Sequence, residues 1–529
     1  MTNLPRAMIR TCRKRLRGWK VADSTGESLS GGQLLTRTLV LRRLLLREVL
    51  APDEQYVGLL LPPSNGATIV NAAVSMAKRV SVNLNYSVSS TVLNACIRRA
   101  GIRHVLTSRK VLDKLDLEID AEVFCLEDLK DKVTTADKVL SAFEAYAMPA
   151  GMLERKLGID KIQSDDELTV IFTSGSTGEP KGVVLTQENV GSNVESMKQV
   201  VHLTPEDVIL GILPFFHSFG YTVTLWGPLA LDMAVAYHFS PLDAKQVGKL
   251  AKSRKATILL STPTFLRSYL KRCKPDEFES LEVVVAGAEK LPTSLSDAFE
   301  EKFGVRPIEG YGATELSPLV SVNVPPSRSQ TAEVDWREGS VGRPVPRVKA
   351  KVVHPETGDD LPADSEGLLL ITGPNLMKGY MRDEEKTAKV VRDGWYVTGD
   401  IARLDPEGFI HITGRESRFS KIGGEMVPHV LVEEAIQEFV SGGNDDEPIA
   451  VVTAVPDARK GERLIVVHLA MEKTPADIAE QLTAKGLPNL WIPAADSYMQ
   501  VEELPLLGSG KLDLKLLASV AKERFGGGS

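Results

Sequence analysis

The sequence predicts an α/β protein in which a large N-terminal domain of layered α/β subdomains and a β-rich part precedes a small, mobile α+β domain. Its 529 residues exceed what one hydrophobic core usually supports. From residue 57 onward, short runs of Val, Ile and Leu alternate with longer amphipathic stretches, a pattern typical of parallel strands joined by crossover helices. After residue 335 the apolar runs shorten and turn sequences separate them.

The strand predictions follow the chain in order. Continuous apolar runs predict buried strands at residues 57–61, 169–172, 208–212, 256–260 and 283–286. Turn sequences in the β-rich part occur at residues 355–358, 392–394 and 405–408. Two further apolar runs, residues 449–453 and 464–467, predict strands of the small domain. We expect a basic leader or interdomain segment (1–22), a large domain (23–414), a small domain (415–524) and a linker-like tail (525–529).

Bulk composition excludes several classes of protein. Hydrophobic residues make up 43% and charged residues 25%, as in folded globular proteins. A net charge of -7 argues against a nucleic-acid partner, which a basic face would attract. The four cysteines are far apart and have no metal-ligand spacing, which favours the reducing cytoplasm over a disulfide framework.

Two segments resemble membrane signals. Residues 208–231 contain no charged side chain, but Pro214, Gly220 and Pro228 interrupt them, so we interpret them as buried core and pocket wall. The N-terminus has a run of cations with no acid among them: Arg6, Arg10, Arg13, Lys14, Arg15, Arg17 and Lys20. We favour a solvated leader or interdomain segment, with peripheral membrane contact at the inner leaflet as the alternative.

The strongest local motif is residues 173–182, TSGSTGEPKG, between two strand-like runs. Gly175 and Gly178 allow backbone N–H groups to converge on an anion, and the hydroxyls and Lys181 add donors and charge. It is not a Walker loop, because Lys181 is followed by Gly182 rather than Ser or Thr. The motif predicts a phosphate-binding loop.

Four more blocks follow in order, at residues 286–289 (AGAE), 310–315 (GYGATE), 395–400 (WYVTGD) with 414–415 (GR), and 504–511 (LPLLGSGK). Together with the phosphate loop, they resemble the adenylate-forming superfamily of acyl-CoA synthetases, luciferases and peptide-synthetase adenylation domains. The resemblance runs from about residue 23 to 515. It implies the adenylate-forming fold, with ATP and Mg²⁺ as cofactors.

The resemblance also implies residue roles. Tyr311 would stack on adenine, Asp400 would accept hydrogen bonds from the ribose hydroxyls, and Arg415 would reach the ribose or the phosphates. Thr314 would bind the phosphates, and Glu315 and Thr173 would hold Mg²⁺. The remaining nucleotide-binding residues would be Ser174, Gly175, Ser176, Thr177, Gly178, Lys181, Gly287, Ala288, Glu289, Gly310 and Gly312.

Catalysis would centre on a lysine of the small domain. By the resemblance, Lys511 would enter the ATP site and touch both the acyl carboxylate and the α-phosphate, where charge reorganises. Thr314 and Glu315 would assist it, and His217 would lie near the carboxylate. Ser417 occupies the hinge position, where Asp or Lys is usual in the family.

Two features indicate the acid and the acceptor. Residues 208–231 contain no Asp or Glu side chain that could pair with the ammonium group of an amino-acid substrate. This absence favours a fatty acid as the substrate. Residues 417–427, 460–462, 486–493 and 504–511 resemble the acyl-acyl-carrier-protein synthetase half of bacterial fusion enzymes. This implies transfer to the phosphopantetheine of acyl carrier protein and an acyltransferase partner for phospholipid synthesis. The alternatives are transfer to CoA and a non-catalytic acyl- or nucleotide-binding protein.

Overall fold

The computed structural model describes residues 3–173, 180–330, 335–423, 425–440, 448–457, 459–505 and 512–526, apart from the side chains of Ser417 and Met426. The largest sheet has the strand order β15-β14-β13-β12-β11-β9-β10-β1-β2. Its strands are β1 (Trp19–Asp23), β2 (Ser28–Ser30), β9 (Val208–Gly211), β10 (Ala234–Tyr237), β11 (Ile258–Ser261), β12 (Val283–Ala286), β13 (Pro307–Gly312), β14 (Leu319–Val322) and β15 (Arg343–Pro344). The strands from β13 to β1 are parallel, and antiparallel strands flank them on both sides.

A second mixed sheet has the order β18-β8-β7-β4-β3-β5-β6. Its strands are β3 (Tyr56–Leu59), β4 (Val80–Asn83), β5 (His104–Thr107), β6 (Glu122–Cys125), β7 (Glu167–Thr173), β8 (Lys181–Thr186) and β18 (Gly379–Tyr380). The β-rich part contains β16 (Lys349–Val353), β17 (Gly367–Thr372), β19 (Val391–Arg392), β20 (Trp395–Leu404) and β21 (Ile410–Arg415). The small domain contains β22 (Phe419–Ile422), β23 (Glu425–Pro428), β24 (Ala450–Asp457), β25 (Gly461–His468) and β26 (Tyr498–Gln500).

Helices cover these sheets. Those of the first half are α1 (Leu4–Lys14), α2 (Gly31–Leu44), α3 (Asn65–Met76), α4 (Ser90–Ala100), α5 (Arg109–Leu112), α6 (Leu126–Asp131), α7 (Thr135–Tyr146), α8 (Ala150–Leu157), α9 (Gln187–Val200) and α10 (Gly227–Ala230). The later helices are α11 (Ala244–Arg254), α12 (Pro263–Arg272), α13 (Thr293–Phe303), α14 (Glu384–Val390), α15 (His429–Val440), α16 (Pro475–Ala484) and α17 (Leu514–Phe525). Short 3₁₀ or π turns lie at Leu45–Val49, Ile159–Lys161, Gly220–Trp226, Pro275–Glu277, Thr314–Leu316, Pro326–Arg328, Glu416–Arg418 and Asn489–Trp491.

Local sequence explains where these helices begin and end. Ser and Thr residues cap the N-termini of α2, α7, α9 and α16 through reciprocal side-chain and backbone hydrogen bonds. Gly101 and Gly158 end α4 and α8 in the left-handed conformation that glycine adopts without steric cost.

The buried strands confirm the predicted fold class. β9, β10 and β11 are buried along their whole length, and they share one core with α3 and with strands of the second sheet. The small domain has its own core, to which Val427, Ile436, Val452 and Val466 contribute. Large mixed α/β and small α+β parts are therefore present as expected, and α17 extends to Phe525, the first residue assigned to the tail.

Residues 208–231 form core structure, as expected. The turn Gly220–Trp226 is buried throughout, and α10 after it is buried at Gly227, Pro228 and Leu229. Across the part of the chain that the structure describes, no helix combines the length and the apolarity that a membrane crossing requires.

The preferred interpretation of the N-terminus, a solvated leader or interdomain segment, is wrong. Residues 4–14 form α1, and its apolar side chains Leu4, Met8 and Ile9 are fully buried in the main core. The alternative, in which this segment lays its apolar face on a membrane, is wrong for the same reason. The cations of the N-terminal segment instead pair with other parts of the fold. Arg6 and Arg10 pair with Glu154, Lys14 and Arg15 pair with Asp232, and the buried Lys20 donates to the Leu231 carbonyl.

Candidate active site

A buried carboxylate marks the centre of the candidate site. Asp400 lies in β20 directly opposite Arg415 of β21, so the strand register alone brings the two side chains together. Arg415 Nε lies 2.9 Å from Asp400 Oδ1, and the Tyr311 hydroxyl, at the end of β13, donates to Oδ2. Residues of two other strands, β21 and β13, therefore fix both carboxylate oxygens.

The electrostatics of this cluster follow from its burial. Only 5% of Asp400 is exposed, and burial raises the pKa of its carboxyl, although the Arg415 charge opposes the shift. Burial, and then the Asp400 charge, raise the pKa of the Tyr311 hydroxyl. Tyr311 therefore stays neutral and acts as a donor to the carboxylate.

A second polar cluster surrounds Glu315. This residue lies in the turn Thr314–Leu316 directly after β13, and the Tyr380 hydroxyl donates to Glu315 Oε1 at 2.7 Å. Lys181 Nζ lies 5.1 Å from the centre of the Tyr380 ring. Residues 377–378 join these elements, because the Met377 N–H donates to the Glu315 carbonyl and the Lys378 N–H donates to the Val184 carbonyl. Glu315 and the loop end of the β7–β8 hairpin are thus neighbours.

The predicted phosphate loop is the connection of that hairpin. Thr173, at the end of β7, pairs with Lys181, at the start of β8. The predicted loop residues Ser174, Gly175, Ser176, Thr177 and Gly178 lie outside the described residues, as does the predicted catalytic Lys511. The side chain of the predicted hinge residue Ser417 is also not described.

Thr314 and His217 belong to adjoining segments. Ser218 donates to Thr314 Oγ1 at 3.3 Å, which places the loop of residues 214–219 beside the turn that carries Glu315. His217 itself is exposed, and its ring lies 4.6 Å from that of Phe216. The structure therefore brings the segment that contains His217 next to the turn Thr314–Leu316.

Small residues allow the close approach of these segments. A Cβ at Gly312 would lie 2.1 Å from the Pro318 carbonyl oxygen, so only glycine fits there. A Cβ at Gly287 would lie 3.3 Å from the Phe219 ring and 3.5 Å from the Gly310 carbonyl oxygen. The predicted nucleotide-binding segments 287–289 and 310–312 thus run side by side. Within the first, Ala288 has a φ of +69° and Glu289 accepts a 2.8 Å hydrogen bond from Thr264 at the start of α12.

Sequence reasoning missed two residues of this site, Tyr380 and Ser218. Tyr380 lies in the two-residue strand β18, which is too short to give a periodic signal. Ser218 directly follows the predicted site residue His217, but its bond to Thr314 spans 96 positions of sequence. For Tyr380, the only signal in the sequence was a tyrosine beside the edge of a buried strand.

The layered α/β fold and the two polar clusters define the class of adenylate-forming proteins. The family description "AMP-binding enzyme" matches residues 10–381, so the chain belongs to the AMP-binding enzyme family of the adenylate-forming superfamily. The match begins inside α1, consistent with an N-terminal helix that is part of the large domain.

Relatives agree with this family. A long-chain-fatty-acid–CoA ligase of Bacillus subtilis (strain 168) is 31% identical over 366 residues, which is 67% of this chain and 62% of that protein. A long-chain-fatty-acid–CoA ligase of Thermus thermophilus is 31% identical over 373 residues, or 67% of this chain and 66% of its own length. The chain thus matches slightly less than two thirds of the length of each of these ligases.

Solved structures show the same fold across the chain. ATP-bound MatB from Rhodopseudomonas palustris has a TM-score of 0.78 at 24% identity, and the alignment covers 98% of this chain and 99% of that one. The o-succinylbenzoate CoA synthetase of Bacillus subtilis in complex with its acyl-adenylate intermediate has a TM-score of 0.77 at 21% identity, with 97% and 98% covered.

Proposed function

We propose that this chain is an AMP-forming acid–thiol ligase. It would use ATP to activate a fatty acid as its acyl adenylate and then transfer the acyl group to a phosphopantetheine thiol. The observation that carries the proposal is the buried Asp400 carboxylate, fixed by Tyr311 and Arg415. Glu315 follows β13 on the chain segment that carries Tyr311, and its partner Tyr380 of β18 lies beside Lys181 at the start of β8.

Each cluster has a chemical role in this proposal. A carboxylate has about four lone-pair positions, so Asp400 can accept ribose hydroxyls as well as its two present donors. Arg415 is 70% exposed and can turn towards a phosphate. Tyr311, held by its hydroxyl, presents a ring that an adenine can stack on.

The residues around Glu315 fit Mg²⁺. One carboxylate and the hydroxyls of Thr314 and Thr173 are oxygen donors, and Mg²⁺ usually takes few protein ligands because it keeps waters and binds substrate phosphates. In the described part of the chain, no group of three or more His, Cys, Asp or Glu side chains could hold a metal ion. We therefore propose that Glu315 holds Mg²⁺ only together with the nucleotide, where the ion would neutralise phosphate charge.

The acyl substrate is proposed to be a fatty acid. The segment 208–231 is largely buried and contains no Asp or Glu, so an amino-acid ammonium would have no partner there. An apolar chain instead gains about 0.8 kcal/mol for each methylene it buries. The names of the two bacterial relatives, both long-chain-fatty-acid–CoA ligases, support the same choice.

For the thiol, we propose acyl carrier protein, with an acyltransferase partner that uses the product for phospholipid synthesis. The small-domain motifs at residues 417–427 and 486–493 support this acceptor. CoA is the second candidate, and the names of the relatives favour it. In either case the free cysteines Cys12, Cys96, Cys125 and Cys273 are compatible with the proposed cytoplasmic location.

The test is fatty-acid-dependent exchange of labelled pyrophosphate into ATP across a panel of chain lengths. Exchange with a fatty acid, but not with amino acids, would support the proposal. The acceptor is then read from thioester formation with CoA or with holo-acyl carrier protein as the sole thiol. No exchange with any acid, at ATP concentrations that stabilise the protein against heat, would instead indicate a non-catalytic nucleotide-binding protein.

A further inference from the structure

Helix α7 has its two acidic residues inside and its large apolar residues outside, the reverse of a usual surface helix. Its buried side includes Asp137, Ser141 and Glu144. Arg47 Nη1 lies 3.1 Å from Asp137 Oδ1, Arg43 Nε donates to Ser141 Oγ at 3.2 Å, and Lys156 Nζ lies 2.7 Å from Glu144 Oε1. The inner side of α7 is therefore fixed by ion pairs with α2, the turn after α2 and α8.

The outer side carries large exposed apolar side chains, which together with one of α8 we call the α7–α8 face. It consists of Val139, Leu140, Phe143 and Tyr146 of α7 and Met152 of α8, which are 63%, 47%, 55%, 47% and 51% exposed. The four residues of α7 have the spacing i, i+1, i+4 and i+7, so they lie along one side of the helix over about 10 Å. Monomers rarely leave such a surface in water without a partner for it.

Within the stretch of chain that bears this face, the exposed charges have one sign. From Lys138 to Lys156 the exposed side chains are either uncharged or cationic, the cations being Lys138, Arg155 and Lys156. Both acids in this stretch, Glu144 and Glu154, are buried and paired with cations. Arg6 and Arg10 of α1, which pair with Glu154, are partly exposed beside α8 and add to the cationic border.

We propose that the α7–α8 face docks on an anionic lipid surface. A helix that presents Val, Leu, Phe and Tyr, and has exposed cations but no exposed acids in its own stretch of chain from residue 138 to 156, can bind such a surface by lying parallel to it. A soluble acidic protein would also be attracted to the cations, but the aliphatic and aromatic residues lie at the centre of the face and the cations at its border. The peripheral membrane contact first considered for the N-terminal segment would then involve α7 and α8, with α1 contributing only the border cations.

The test is co-sedimentation of the full chain with vesicles of phosphatidylcholine alone and of phosphatidylcholine mixed with phosphatidylglycerol. We expect binding to the anionic vesicles that weakens with added salt. The double substitution Val139→Gln with Phe143→Gln should reduce vesicle partitioning at least about tenfold. Leu242→Gln, at an apolar residue that is 64% exposed elsewhere, is the matched control and should bind like the unsubstituted chain.

The charge requirement is tested separately. Lys138→Glu with Arg155→Glu should abolish the preference for anionic vesicles. Because these positions are exposed, the melting temperature and pyrophosphate exchange in the absence of vesicles should stay unchanged, which separates loss of docking from loss of folding. Absence of vesicle binding at low salt, or equal binding by the Val139/Phe143 variant, would overturn the proposal. A concentration-dependent dimer that the same variant abolishes would assign the face to a second copy of the chain and would also overturn it.

Discussion

At the scale of single residues, Asp400 carries the nucleotide-site proposal and is the first to test. In Asp400→Asn, the Arg415 guanidinium loses a charged partner and the ribose hydroxyls lose a charged acceptor. Hydrogen bonds to charged groups contribute about 1.5–3 kcal/mol, so we expect the KM for ATP to rise about 10- to 100-fold in the pyrophosphate exchange assay.

The matched control is Asp364→Asn. Like Asp400, Asp364 pairs with an arginine: Nη1 of Arg403 in β20 lies 2.8 Å from Asp364 Oδ1. The Asp364 side chain, however, is 54% exposed. Surface ion pairs contribute little, so exchange should be unchanged. Equal effects of both substitutions would show that Asp400 serves the fold of the β-rich part rather than the nucleotide.

His429 predicts a pH dependence in the small domain. Its Nε2 lies 2.7 Å from Ser420 Oγ, and burial, with a smaller effect of the Arg418 charge, lowers its pKa to about 3. In the unfolded chain the His429 imidazole takes up a proton near pH 6.5, whereas in the folded chain it does so only near pH 3. The free energy of unfolding therefore falls as pH decreases from about 6.5 towards 3. Between pH 7 and pH 5 this one group should remove about 2 kcal/mol.

Hydrogen exchange of the α15 amides in the full chain, at both pH values, measures this loss. His429→Gln keeps a hydrogen-bonding side chain but cannot take up the proton, so its protection should fall less between the two pH values. His354→Gln, at an exposed position, is the control and should behave like the unsubstituted chain. An unchanged pH dependence in His429→Gln would contradict the assignment.

Single residues were predictable where one motif holds both partners. The family resemblance of residues 395–400 and of Gly414-Arg415 predicts that Asp400 and Arg415 both bind ATP, and a hairpin register places the two residues opposite each other. Tyr380 was not predictable, because its bond to Glu315 spans 65 positions and depends on how β18 joins the edge of the second sheet. Long-range pairing of this kind leaves no local pattern in the sequence.

At the scale of secondary-structure elements, α1 shows how composition can mislead. Its cations suggested a solvated segment, whereas Leu4, Met8 and Ile9 place it in the core. Met8→Ala should therefore destabilise the protein by about 2–5 kcal/mol and lower its melting temperature, because it creates a cavity in packed surroundings. Thermal unfolding of the full chain measures this effect.

Met152→Ala is the control for that substitution. Met152 is 51% exposed in α8, so its truncation removes few packing contacts and should change stability by less than about 0.5 kcal/mol. If Met8→Ala were equally neutral, α1 would be dispensable for the fold. The N-terminal segment would then be an appendage after all.

Other elements were predictable to different degrees. The runs at 208–212 and 283–286 became β9 and β12 almost residue for residue, because strands buried on both faces need continuous apolar sequence. The reversed orientation of α7 was not predictable. Its apolar side chains would ordinarily be assigned to the core, and the positions of Arg43, Arg47 and Lys156 in space explain why Asp137 and Glu144 are inside.

At the scale of the whole molecule, the two domains meet beside the candidate site. Strand β21 ends at Arg415, one residue beyond the predicted end of the large domain, and Phe419 of β22 packs against Val353, Leu368 and Ile401. Lys290 Nζ lies 2.7 Å from Glu434 Oε1 across the two domains. Both side chains of this pair are largely exposed, so it contributes little and would not prevent a domain rotation about Ser417.

If the small domain supplies Lys511 only for adenylation, substitution of this lysine should reduce the two half-reactions, adenylation and thioester formation, to different degrees. If Lys511 of the small domain stabilises the charge that develops when the carboxylate attacks the α-phosphate, Lys511→Ala should reduce acyl adenylate formation by a factor of about 100 or more. Thioester formation from supplied acyl adenylate should persist, because in this proposal the thiol would attack after the small domain has rotated about Ser417. Lys515→Ala, at an exposed position of α17, is the control and should retain both steps. Equal loss of both half-reactions in Lys511→Ala would mean that the lysine supports the small domain as a whole and not the adenylation step.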